Sequence, residues 1–87
     1  MNFGKYSTIS INCEKTAINL KCLRIKAGLR VEDVRKAMGF NQPKSVYRWE
    51  DGTDVPSAEH LVKLAELYKT TVDDLVIYND GEAGALC

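Results

Sequence analysis

Two short apolar patterns of helical period, joined through Gly39-Phe40-Asn41, occupy residues 30–56 and leave this chain few ways to fold. Val34 and Met38 recur one turn apart in the first pattern, and Val46 and Trp49 do so in the second. Each helix therefore has one face to bury. Lys44 and Arg48, also one turn apart, must then project from the side of the second helix that faces water. A rigid cationic ridge of this kind suits the groove of duplex DNA.

With 87 residues, the chain allows one small domain that buries about 60% of its unfolded surface. That is enough for several short helices and too little for a cleft walled by two lobes, so an elaborate enzyme is disfavoured. No stretch approaches the roughly 18 apolar residues that cross a bilayer, and the first ten residues lack a basic start followed by an apolar run. A cytoplasmic location is expected. Cys13, Cys22 and Cys87 are odd in number and show no metal-like pairing, so free thiols are expected, without a disulfide framework or a zinc site.

The net charge of zero conceals a dipole along the chain. Residues 15–50 carry nine Lys and Arg against three acids, a balance of +6, whereas residues from 51 onward carry two Lys against eight acids, a balance of −6. Charge runs are often only solvated helix faces. Here the positive half coincides with the two-helix unit, so charge and geometry select one face.

Along the chain, Ile9 and Ile11 alternate with polar residues in the manner of a short strand, which predicts an N-terminal arm or edge strand over 1–15. Thr16 is read as the cap of a first helix ending at Ala27, with Leu20, Leu23 and Ala27 on its apolar face and Gly28 as its stop. A second helix is predicted over 31–38, closed by Gly39. A third opens near Pro43, with either Asn41 or Gln42 as its cap. Ser57 begins a fourth, whose Leu61, Leu64, Ala65 and Tyr68 repeat at helical spacing. Thr71 begins a short fifth with Leu75 and Val76 turned inward, and a tail over 78–87 follows.

Five short helices with Asn19-Leu20-Lys21, Leu23-Arg24, Gly28-Leu29, Gly39, Val46, Arg48-Trp49-Glu50, Gly52, Pro56-Ser57, Leu61, Leu64-Ala65 and Asp73-Asp74-Leu75 resemble the lambda-repressor-like, Cro and Xre type of helix-turn-helix domain. The resemblance covers residues 16–77. It implies a compact all-α five-helix fold with helices 2 and 3 as the helix-turn-helix, and a DNA-binding transcriptional regulator of repressor type. It places the third helix in the major groove, with Gln42, Lys44, Ser45 and Arg48 at base edges and Tyr47 at a phosphate. Arg30, Arg35 and Lys36 are the further phosphate-contact candidates. Arg24 and Glu50 match positions where relatives hold an ion pair between helices one and three, and Val46 and Trp49 belong to the core.

The chain departs from that pattern in ways that bear on function. Residues 39–46 form a turn one residue longer than the common version. Arg30-Val31 and Arg35 stand where relatives often carry Thr-Gln and a small residue, and Arg35 is expected to point outward. Cys22 occupies a place where a base is common. Residues 51–55, Asp-Gly-Thr-Asp-Val, are acidic where relatives offer Lys or Arg, which predicts a shallow salt dependence and weak nonspecific affinity.

The rival reading is a protein-interaction module, antitoxin- or anti-repressor-like, that keeps the scaffold and has lost DNA binding. Ile18, Cys22 and Ile25 form an apolar seam along the first helix that suits a partner or the N-terminal arm. Homodimerisation is expected if paired half-sites are read. The lone His60, read as solvent-facing, has no nucleophile, glycine-rich loop or metal spacing near it, so no enzyme activity, metal, cofactor or small-molecule ligand is expected.

Overall fold

The computed structural model describes residues 10–78, and within them five helices follow in order: α1 Cys13–Lys26, α2 Val31–Met38, α3 Lys44–Asp51, α4 Ala58–Leu67 and α5 Val72–Leu75. No strand occurs among the described residues, only an isolated antiparallel bridge between Ile11 and Tyr78. No helix among them is long and apolar enough to cross a membrane. The all-α helix-turn-helix architecture expected from the chain is the one observed. Ile9, most of the arm and the tail after Tyr78 lie outside the described residues.

The first helix starts four residues earlier than predicted. Asn12, in extended conformation, caps it by accepting a hydrogen bond from the Lys15 amide at 2.9 Å, and Glu14 complements the positive end of the helix dipole. Thr16 is released for another task. Its hydroxyl, 1% exposed with its residue, accepts from the Ile77 amide at 3.0 Å and donates to the Ile77 carbonyl at 3.3 Å. The Asn12 amide donates a second bond to that carbonyl at 2.7 Å. Asn19 donates through Nδ2 to the carbonyls of Asp74 and Leu75, at 2.6 and 3.1 Å, so that α1 satisfies the last carbonyls of α5. Replacing Thr16 with Val would orphan the buried Ile77 amide. A loss of ~1 to 3 kcal/mol is expected in urea unfolding, with faster hydrogen exchange at Ile77.

Gly28 and Gly39 end α1 and α2 in the left-handed region, with φ of 75° and 78°. Side chains other than glycine rarely adopt that conformation, and it lets the amides of Leu29 and Phe40 turn back to the carbonyls of Arg24 and Arg35, both at 3.1 Å. Ala27 is exposed and caps α1 rather than facing the core. Neither Asn41 nor Gln42 caps α3. Pro43 holds that position, and no side chain closes the helix start, because proline offers no side-chain acceptor. Ser57 and Thr71 cap α4 and α5 through the amides of His60 and Asp74.

Leu20, Val34, Met38, Val46, Trp49, Leu64, Ala65, Tyr68, Leu75 and Val76 form one core drawn from all five helices, with Tyr68 and Val76 just past the ends of α4 and α5. α1 packs on α3 and α5, and α2 packs on α3 and α4. His60 corrects the solvent-facing reading. It is half-buried, with its ring 5.1 Å from Phe40 and 5.4 Å from Trp49, while Phe40 and Trp49 meet edge-on at 5.7 Å. This trio clamps the α2–α3 turn onto α4. Cys13 is a free, exposed thiol, whereas the free-thiol expectation is corrected for Cys22, which is disulfide-bonded.

Candidate nucleic-acid interface

The direction in which α3 presents its side chains follows from its two anchors. Val46 is 1% exposed and Trp49 6%, so the helix is held by residues three apart and its remaining positions turn outward. Lys44, Tyr47 and Arg48 are exposed and Ser45 is half-buried, while Gln42 is exposed in the turn just ahead. Because no side chain caps α3, its first amides are open to an anionic group arriving at the positive end of the helix.

The orientation of α3 is further secured by Arg24. Its Nε donates to Glu50 Oε2 at 2.8 Å and its Nη2 to Oε1 at 3.1 Å, a two-pronged pair, while Nη1 donates to the Leu29 carbonyl at 2.9 Å. The two side chains are only 11% and 8% exposed. Glu50 is the main cause of the Arg24 guanidinium's raised pKa. Fork-to-carboxylate geometry at this depth joins α1, the α1–α2 turn and the end of α3 in one unit. Glu50→Gln removes the charge and one acceptor, and a loss of ~1.5 to 3 kcal/mol is expected in chemical denaturation.

The other cations divide into two groups. Lys36 and Lys44 are exposed and have no ion pair among the described residues. Arg30, Arg35 and Arg48 each face a carboxylate of this chain. Arg30 lies 3.4 Å from Asp33, whose Oδ2 also accepts the Arg30 amide at 2.8 Å, and that amide bond is the first cause of the lowered Asp33 pKa. Arg35 donates twice to Glu32, at 2.9 and 2.6 Å, and once to the Phe40 carbonyl at 2.6 Å. Its side chain is 20% exposed. Arg35 thus does not point outward as expected. It lies along α2 because the residues after Gly39 present a carbonyl within its reach, and it braces the long turn.

Arg48 Nε sits 3.2 Å from Asp54 Oδ2. The loop 51–55 that carries Asp54 folds back on the end of α3: the amides of Thr53 and Asp54 donate to the Arg48 carbonyl at 3.1 and 3.2 Å. Asp51 Oδ1 accepts the Thr53 amide at 2.8 Å, and hydrogen bonds from Thr53 hold the Asp51 carboxyl below its ordinary value. The sequence marked this loop as acidic, yet nothing in its pattern located a carboxylate against Arg48.

The structure therefore gathers Gln42, Lys44, Ser45, Tyr47 and Arg48 on or just before one exposed helix. It leaves Lys36 and Arg30 on α2 and its cap, and commits Arg35 to the turn. Among the described residues no group of three or more His, Cys, Asp and Glu side chains is placed to hold a metal ion.

A family model described as a helix-turn-helix domain matches residues 17–76, which run from the first buried alanine of α1 to the residue after α5. No significant match is found to a curated protein or to a solved structure. The matched span contains the whole core, both halves of the two-helix unit and the Arg24–Glu50 brace, and the chain belongs to the helix-turn-helix domain family, a family of DNA-binding domains.

Proposed function

We propose that this protein is a sequence-specific DNA-binding regulator of transcription, repressor-like and of the Cro and Xre type, that inserts α3 in the major groove. The observation that carries this reading is the two-faced character of α3, with Val46 and Trp49 buried and Lys44, Tyr47 and Arg48 outward. Arg48, Lys44 and Gln42 supply donors suited to guanine and adenine edges, and Ser45 and Tyr47 offer hydroxyls. Lys36, and Arg30 once a phosphate displaces Asp33, would hold the backbone. In this reading the protein acts in the cytoplasm as a homodimer on paired half-sites, with no cofactor and no catalytic role.

A second reading, an interaction module on the same scaffold, is favoured by one observation. Three of the nominated arginines already face this chain's own carboxylates. Ile18 and Ile25, 57% and 59% exposed on α1, would then belong to the partner surface. Selection from a random duplex pool separates the two. Enrichment of a defined site is expected, and recovery of no site after repeated rounds would move the assignment to the interaction module.

A further inference from the structure

We propose that Asp54 is a specificity-determining positioning residue, which holds Arg48 in the pose needed to read guanine rather than merely repelling phosphate. This inference rests on the DNA-binding reading of α3 and goes beyond it by giving the acidic loop a task. The loop that carries the Asp54 carboxylate is pinned by backbone bonds to the residue that the carboxylate contacts, since the Thr53 and Asp54 amides both donate to the Arg48 carbonyl. The contact is made at Nε, 3.2 Å from Oδ2. A carboxylate engaged at Nε allows the two terminal nitrogens of the half-exposed guanidinium to serve as the fork that matches the O6 and N7 acceptors of guanine.

An ion pair whose side chains are 44% and 55% exposed contributes little to folding. Its effect is felt on binding, where a long side chain biased towards one pose by a neighbouring carboxylate loses less freedom. The carboxylate also repels phosphate. Asp54 therefore exchanges general affinity for discrimination, which reconciles an acidic loop with a helix that binds DNA.

The test compares the full chain with Asp54→Asn, Arg48→Ala and the double variant. The probes are the duplex that the full chain enriches from a random pool and copies of it with each guanine replaced in turn. A good arginine–guanine pair discriminates about 5- to 150-fold. Asp54→Asn is expected to bind mixed-sequence duplex more tightly while losing ~5-fold or more of the preference at one guanine, a conservative share of that range. In the Arg48→Ala background, Asp54→Asn is expected to change that preference no further. Tighter binding to all sequences with the preference intact would overturn the proposal and leave the DNA reading standing. Enrichment of no duplex by the full chain would overturn both.

Discussion

Trp49→Ala is expected to lower the stability of this domain by ~3 to 5 kcal/mol, a large part of the total available to a domain of this size. Trp49 is 6% exposed and meets Phe40 and His60, so one indole joins the α2–α3 turn, α3 and α4. Truncation removes the transfer energy of the ring and leaves a cavity that these neighbours, one fixed in the α2–α3 turn and one on α4, cannot collapse to fill. Far-UV circular dichroism during heating and urea titration reads the effect without relying on tryptophan fluorescence. A loss under ~1 kcal/mol would show that the aromatic trio is not the clamp described here.

A second large effect concerns binding alone. Lys44→Ala combined with Arg48→Ala removes two exposed cations from α3 and touches no core residue, so stability should change by less than ~0.5 kcal/mol. Affinity for a selected duplex is expected to fall ~30-fold or more, corresponding to the removal of two base-edge hydrogen-bonding groups at ~1 kcal/mol each or above. If either cation touches a phosphate, the slope of log K against log salt should also shrink by ~0.9 for each phosphate that is no longer neutralised. Anisotropy titration at several salt concentrations measures both quantities. The opposite directions of the two predictions, one unfolding and one unbinding, follow from the two faces of a single helix.

The architecture was largely legible because it rests on local signals. Helical spacing of Val34, Met38, Val46 and Trp49 marks buried faces, and Gly28 and Gly39 stand where the chain must turn left-handed. Ser57 and Thr71 sit where short polar side chains cap helices. Misread features depend on contacts between residues far apart in the chain. Thr16 looks like a cap and instead bonds Ile77, 61 residues away, while Asn12 takes the capping role. His60 looks exposed because helix four alone gives it no partner, and it acquires two from the α2–α3 turn and α3.

The candidate site was legible in its residue types and less so in their engagement. Charge counting along residues 15–50 identified the positive half, and helical phase identified which cations leave the core. Counting cannot show that a carboxylate three residues earlier will hold Arg35, or that a loop will return and place Asp54 beside Arg48. Both outcomes depend on backbone direction after a helix end, at Phe40 in one case and Thr53 in the other. The formal excess of +6 already subtracts Glu32 and Asp33, but it omits Asp54, which comes from outside residues 15–50 and lies beside Arg48, so it overstates the charge that the face offers to a phosphate.

The most direct test of whether α3 is the recognition element is amide chemical-shift mapping of the full chain titrated with the duplex that it selects. Perturbations centred on residues 42–48 and extending to Lys36, with α5 unaffected, are predicted. Shifts confined to the outer face of α1 around Ile18 and Ile25, with α3 unmoved, would contradict the account.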